Sequence, residues 1–309
     1  MADLDHPIFI VGCPRSGTGI LHQLVRLHPS VAWVTPFSNW LCGKSWFRRV
    51  PPTLAYGAES ILHRTPNALL PPLFRGPYDG SLGLPTTFET HEGHSIWHRA
   101  LPDAPNHLAT EAAATPKGKA YLRAVVEWHC RYHDRPRLVW KTPRNVFRLR
   151  FLHAVFPEAY VVHLVRDGRA VAASILKRRR HDRQSVDEWW GVRPPKWKTT
   201  LSEPPITQAA WTWTQCLDRV RTDAVLFPDD HVLEMRYEAL TTQPEAELRR
   251  LFSFVGLAPD RFFTPDNQGQ LRAIRAPRPT WTSRLDDHQQ SLLRDALAPT
   301  LQAYGYDDA

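Results

Sequence analysis

Along this 309-residue chain a short apolar run is repeatedly followed by helical spacing, and that alternation restricts the fold more than any other feature. Pro7 to Gly12 (PIFIVG) is an apolar run closed by glycine. Beyond it Ile20, Leu21, Leu24, Val25 and Leu27 repeat at the spacing of a helix over Thr18 to His28. RLVW at Arg137 to Trp140 precedes a second helical stretch, and AYVVHLV at Ala159 to Val165 runs into a helix from Arg169. HVLEMR at His231 to Arg236 precedes a helical segment from Glu245 to Val255. Strands alternating with helices predict an α/β fold, a central parallel sheet with helices on both faces.

Two regions interrupt the alternation. Pro71 to Lys119 is rich in Pro, Gly, His and Thr, and Arg193 to Pro205 (RPPKWKTTLSEPP) is a Pro/Trp/Lys loop. Connections this long are lids, binding loops or poorly ordered surface. Both are candidates to face a substrate. No internal repeat is present, and with 42% hydrophobic residues the chain has enough apolar side chain for a large core.

A formal charge of +8 calls for an anionic partner: a nucleotide, an acidic glycan, a nucleic acid or a membrane surface. LKRRRHDR at Leu176 to Arg183 reads as a solvated face ending a helix, where cations favour the dipole's negative end, so nucleic acid is not the expected partner. Cys13, Cys42, Cys130 and Cys216 are scattered without a C-x-x-C pair, as expected of reduced thiols in a cytoplasmic protein. The first residues lack a signal-peptide pattern, and no stretch approaches the ~20 apolar residues that cross a bilayer.

The first strand-to-helix turn reads VGCPRSGTGIL, Val11 to Leu21. Backbone N–H groups and the positive helix end at such a turn hold phosphate or sulfate. Gly12, Gly17 and Gly19 let the backbone approach closely, and Arg15, Ser16 and Thr18 add a charge and hydroxyl donors. The Walker pattern G-x-x-x-x-G-K-[ST] is broken, because Thr18 stands where its lysine belongs. A second element, HLVRDGRAVAASI, puts Arg166 at a strand end and Ser174 eight positions later in the next helix, where both can reach one further phosphate. Asp167 is placed to cap that helix, with Arg166 and Arg169 as solvated charges in the plainer reading.

With these residues the chain resembles the sulfotransferases that use 3′-phosphoadenosine-5′-phosphosulfate (PAPS), in particular the tyrosylprotein-type and related bacterial branch. PRSGT looks like their loop for the 5′-phosphosulfate, and RDGRAVAAS looks like their 3′-phosphate motif. WKTPRNVFRLRFLHAVFPEAYVVHLVRDGRA is similar to the core between them, in which the lysine of a K-x-P element lies near the transferred sulfuryl group; here it is Lys141. MRYEAL with Tyr237 resembles the R-Y-E-x-L element. WTSRL, before a final helix ending in YGY, resembles the segment that closes over the nucleotide, which makes Arg284 the candidate cation there. The resemblance implies a P-loop type sulfotransferase fold: one domain over residues 1–309, with lid insertions at about 71–119 and 193–205.

It further implies PAPS as co-substrate, 3′,5′-phosphoadenosine as product and no required metal. The implied cofactor residues are Arg15, Ser16, Gly17, Thr18, Gly19, Arg166, Ser174, Tyr237 and Arg284, with Arg15 and Lys141 acting on the transferred group. The acceptor is a hydroxyl on a small molecule, lipid, phenol or glycan. Sulfuryl transfer needs two oxygens placed in line and the negative charge growing on the departing phosphate stabilised, which Arg15, Lys141 and the loop N–H groups suit.

Two departures stand out. Many members carry Ser or Thr where this chain has Gly19, removing a hydroxyl donor. The family's glutamate shortly after the first helix is also missing, since HPSVAWVTPFSNW holds no acid. The general base then falls to TTFETHEGHSIWHR, which offers Glu89, His91, Glu92 and His94. Glu92, four residues before Ile96-Trp97, is the choice by analogy. The stretch is not the zinc motif H-E-x-x-H, because Ser95 replaces the second histidine. A P-loop kinase or NTPase, and a non-catalytic nucleotide- or polyanion-binding module, are the competing readings.

Overall fold

The computed structural model describes residues 6–64, 91–102, 108–182, 189–272, 274 and 281–306. At its centre lie five parallel strands: β1 (Ile8–Val11), β2 (Val31–Trp33), β3 (Arg137–Lys141), β4 (Tyr160–Val165) and β5 (Val232–Arg236). Their spatial order is β2-β3-β1-β4-β5. Side chains alternate across a strand, so Phe9 and Val11 enter one core while Ile8 and Ile10 enter the other. Each core needs its own cover of helices.

The Phe9 face is covered by α2 (Pro36–Cys42), α3 (Pro52–Arg64), α4 (His94–Ala100), α5 (Pro116–His133), α6 (Leu149–Val155), α7 (Gly168–His181), α8 (Pro205–Ala224) and α12 (Asp287–Ala303). The Ile8 face is covered by α1 (Thr18–Val25), α9 (Tyr237–Thr242), α10 (Pro244–Phe254) and α11 (Pro265–Arg272). This is the α/β architecture expected from the alternation. The strand not anticipated is β2, only three residues long at the sheet edge, between Pro29 and Pro36. Three residues are too few to show a period.

The order of the strands positions the site. The chain runs from β1 out to β2, returns to β3, then crosses to β4 on the other side of β1. Loops leaving β1, β3 and β4 therefore part at the carboxyl ends of adjacent strands, where α/β sheets bind ligands.

Part of the first long interruption packs into the core. Residues 71–90 and 103–107 of the first lie outside the described residues. Between them, α4 buries Ile96 and Trp97 in the main core, so this part is wall, and α5 already starts at Pro116. The second, Arg193 to Pro205, holds a 3-10 turn at Trp197–Thr200 before α8.

Two arginines expected on a solvated face are buried. Arg179 is 6% exposed and donates to Gln208 Oε1 at 2.9 Å. Arg169 is also 6% exposed and grips Asp167 through Nε and Nη2. A helix end packed on a second helix buries part of any charge run, and a nearby carboxylate or amide makes that tolerable.

All four cysteines are buried and free, and no described helix is long and apolar enough to cross a membrane.

One buried acid sets a pH dependence. Glu59 on α3 is fully buried and accepts from Thr35 Oγ1 at 3.0 Å. Burial pushes its carboxyl up to about 9, against the smaller opposing effect of the Thr35 bond. Glu59 is thus protonated in the native state at neutral pH, whereas an unfolded chain releases that proton above about 4.5. Between these values the native state holds the extra proton, so stability falls as pH rises, by up to about 1.4 kcal/mol per pH unit. Glu59→Gln keeps an acceptor for Thr35 without an ionisable proton. Its Tm should exceed that of the wild type by a margin that widens from pH 5 to pH 8.5; a margin constant with pH would refute the assignment.

Candidate active site

The loop after β1 is shaped by two left-handed residues, Arg15 (φ 74) and Gly17 (φ 94). Such alternation curls a backbone so that successive N–H groups face one concavity, a ready anion site. At Gly17 no side chain fits, since a Cβ would lie 2.3 Å from the Tyr237 ring. Gly12 is equally closed, its Cβ position lying 2.6 Å from the Leu164 carbonyl oxygen. Arg15, Gly17, Thr18 and Gly19 line a cleft of about 900 Å³, whereas Ser16 is buried beneath the loop.

Arg166 leaves the end of β4 and Ser174 sits on α7. Arg15 Nε donates to Ser174 Oγ at 3.1 Å, and Arg166 Nη1 donates to the Arg15 carbonyl at 3.1 Å. Two motifs more than 150 residues apart thus form one cluster. The Arg166 guanidinium lies 4.4 Å over the Tyr237 ring, and among the described residues its buried Nε has no hydrogen-bond partner. That unspent donor suits an arriving anion. Asp167 caps α7, accepting from the Arg169 N–H at 2.8 Å.

Lys141, at the end of β3, meets Glu92 across the cleft with Nζ 2.6 Å from Oε1. Glu92 is held from both sides. The Trp140 indole N–H donates to its carbonyl at 3.2 Å, and the next residue, Gly93, adopts φ 77 with its α-carbon against that indole. His94 also lines the cleft, with Nε2 3.7 Å from Glu92 Oε2.

The remaining base candidates fall elsewhere. His91 accepts from the Gly93 N–H through Nδ1 and is pushed down to about 4, mainly by burial. Glu89 lies outside the described residues. Arg284 is exposed on the 3-10 turn Thr282–Arg284 and is not among the residues lining the cleft. The turn follows residues 275–280, which are outside the described set, and its direction is set by Trp281, buried under Arg169.

Several cleft residues carried no signal in the motifs. Arg178 lies one helical turn after Ser174 and pairs with Asp182 at 2.9 Å, and Asp182 also accepts from Trp190 Nε1 at 3.0 Å. Trp189, Trp190, Arg193 and Arg144 complete the wall. An i, i+4 reading from Ser174 finds Arg178, but a four-cation run masks it. Glu238, next to Tyr237, accepts from the Asp167 N–H and from the Tyr306 hydroxyl, fixing the Arg166 loop from below.

Among the described residues, Arg15, Lys141, Arg144, Arg166, Arg178 and Arg193 face the cleft against one acid, Glu92. A family model described as the sulfotransferase family matches residues 7–261. The chain belongs to the sulfotransferase family. It is 25% identical over 313 residues to omega-hydroxy-beta-dihydromenaquinone-9 sulfotransferase Stf3 of Mycobacterium tuberculosis, covering 98% of this chain and 76% of that protein. It is 23% identical over 262 residues to protein-tyrosine sulfotransferase A of Caenorhabditis elegans, covering 81% of this chain and 50% of that protein. Among solved structures, sulfotransferase STF9 from Mycobacterium avium superposes with a TM-score of 0.58 at 15% identity, over 98% of this chain and 77% of that one. The fold of this sulfotransferase is thereby matched as well as its sequence.

The Gly19 departure has a definite geometry. Nothing lies within 4 Å of a Cβ built at Gly19, and the residue lines the cleft. Gly19→Ser should therefore fit without strain and offer one more donor to a bound phosphate. A net hydrogen bond of about 0.5–1.5 kcal/mol corresponds to roughly twofold to thirteenfold tighter 3′,5′-phosphoadenosine. Calorimetry showing equal or weaker binding would place that hydroxyl off the phosphate.

Proposed function

We propose that this sulfotransferase transfers the sulfuryl group of PAPS to a hydroxyl of an acceptor by in-line displacement, the acceptor being a small metabolite, phenol, lipid or glycan. The observation that carries this is the joining of Arg15, Ser174 and Arg166 in the same cleft as the Lys141–Glu92 pair. The donor set suits a nucleotide phosphorylated at both 3′ and 5′ positions, since among the described residues two groups of cations face one acid and Arg166 keeps a buried donor unspent. PAPS, when bound, supplies the sulfuryl group and the leaving phosphate.

Arg166 and Ser174 would hold the 3′-phosphate. Arg15 and the N–H groups from Gly17 to Gly19 would hold the 5′ side, where fixed positive charge offsets the negative charge that develops. Glu92 is the group that takes the acceptor's proton. At rest Glu92 also neutralises Lys141 at 2.6 Å. Once Glu92 is protonated that attraction is lost, and the Lys141 charge is released toward the departing phosphate as the need for it arises. The base and the cation therefore act as a coupled pair.

Titration calorimetry tests the reading: 3′,5′-phosphoadenosine should bind with micromolar affinity or better, 5′-AMP much more weakly, and MgATP should not be turned over. Binding of ATP with magnesium-dependent hydrolysis would favour a kinase or NTPase instead. Transfer from sulfur-35-labelled PAPS separates an enzyme from a binding module.

A further inference from the structure

The cleft is divided electrically into two ends. At one, Arg15 is held below the ordinary guanidinium range, first by burial and then by Arg178 and Arg166. At the other lie Lys141, Glu92, His94 and Arg144. His94 is held below the usual imidazole range, first by burial; Glu92 opposes this, and Arg144, Lys141 and Arg148 add to it. Arg148, behind them, is pushed down to about 10, first by burial and then by Arg144.

The second end contains more positive charge than the reaction accounts for. Glu92 is committed to Lys141 at 2.6 Å. Arg144 lies on the 3-10 turn Pro143–Phe147, directly after β3, is half-buried and lines the cleft. Among the described residues it makes no hydrogen bond or ion pair. A guanidinium partly removed from water beside a second, more deeply buried guanidinium is unfavourable until an anion arrives. On the proposed reading the 3′-phosphate takes Arg166 and Ser174 and the 5′ side takes Arg15, the loop N–H groups and Lys141, which leaves Arg144 without a part in binding the nucleotide.

We infer that Arg144 anchors the acceptor, and that the acceptors of this enzyme carry an anionic group, a carboxylate or a phosphate, beside the hydroxyl that receives the sulfuryl group. This rests on the sulfuryl-transfer reading above. The planar fork of arginine pairs with either anion through two parallel N–H bonds, which fixes orientation as well as affinity. Such an anchor orients the acceptor hydroxyl toward Glu92, and a neutral acceptor of the same shape lacks that constraint. His94, kept neutral, adds no competing charge at that end and leaves Arg144 to select.

The test uses matched probes on protein saturated with 3′,5′-phosphoadenosine. One pair is 4-hydroxyphenylacetate and its methyl ester, the other glucose 6-phosphate and glucose, so carboxylate and phosphate are read separately. The anionic member of at least one pair should bind about tenfold tighter or more. Arg144→Gln should abolish that preference while leaving 3′,5′-phosphoadenosine affinity within about twofold, and Arg144→Lys should retain part of it. Transfer from labelled PAPS should show the same ordering in kcat/KM wherever a probe is turned over. The inference is overturned if neither pair shows a preference for its anionic member, or if the preference survives Arg144→Gln. It is also overturned if Arg144→Gln weakens the nucleotide as Arg166→Ala does, which would place Arg144 on the phosphosulfate. Failure of 3′,5′-phosphoadenosine to bind wild type overturns the sulfuryl-transfer reading instead, and appears in the first titration.

Discussion

Arg166→Ala should weaken 3′,5′-phosphoadenosine by roughly 30- to 150-fold, the cost of about 2–3 kcal/mol in charge-assisted hydrogen bonds to a phosphate. The guanidinium is preorganised, clamped over Tyr237 and tied to the Arg15 carbonyl, so little ordering is needed when the anion arrives. The variant should still fold. Trp213 donates to the Arg166 backbone carbonyl at 3.0 Å, and Asp167 still caps α7, so neither contact needs the side chain. A control separates the two phosphates: 5′-AMP, without the 3′ group, should bind wild type and variant almost equally. Raising the salt concentration should narrow the difference between the proteins, because the contact is ionic and open to solvent. An unchanged calorimetric affinity for 3′,5′-phosphoadenosine would remove Arg166 from the site.

Glu92→Gln and Lys141→Ala should each lower kcat by about 10²- to 10⁴-fold, through loss of the base and of the cation opposite the departing phosphate. Their effects on binding should diverge. Glu92→Gln leaves the Lys141 ammonium unneutralised, so 3′,5′-phosphoadenosine should bind as tightly as before or more tightly. Lys141→Ala should weaken it. Because the two side chains are joined at 2.6 Å, the double variant should lose much less than the product of the single losses. Single-turnover transfer from labelled PAPS measures this, and a Glu92→Gln enzyme keeping kcat within about twofold would hand the proton to another group.

The architecture was legible where burial acts on both faces of a strand. Pro7–Gly12, Arg137–Trp140 and Ala159–Val165 are buried almost throughout, His231–Arg236 at the sheet edge buries Leu233 and Met235 while exposing Glu234, and all became members of the parallel sheet. Arg15, Lys141, Arg166, Ser174 and Tyr237 were also legible, because each follows a strand end or stands at a fixed offset from one, and they do converge. Charge was harder to read. Arg178 and Arg179 belong to one basic run and Arg169 stands a few turns before it, yet one faces the cleft and two are buried, a difference that depends on which helix packs alongside. Trp189 and Trp190 reach the cleft through the left-handed turn at Gly191 and the bond from Trp190 to Asp182, neither of which leaves a periodic mark. The support given by Glu238 and Tyr306 was invisible for the same reason, since it joins positions 68 residues apart.

That last support bears on how the protein is made. The Asp167 N–H is held by Glu238, Glu238 by the Tyr306 hydroxyl, and Arg169 donates to the Tyr306 carbonyl across 137 residues. On a ribosome the phosphate loop emerges before the Arg166 loop, but the tyrosine that secures them emerges 137 residues after Arg169. Until then Arg169 and Glu238 lack part of their native bonding, and the parallel sheet stands without α12 over α7 and α8. Contacts of such long range are formed slowly and late. The nascent chain should therefore pass through a compact form unable to retain nucleotide, acquiring that ability only once α12 and Tyr306 have docked.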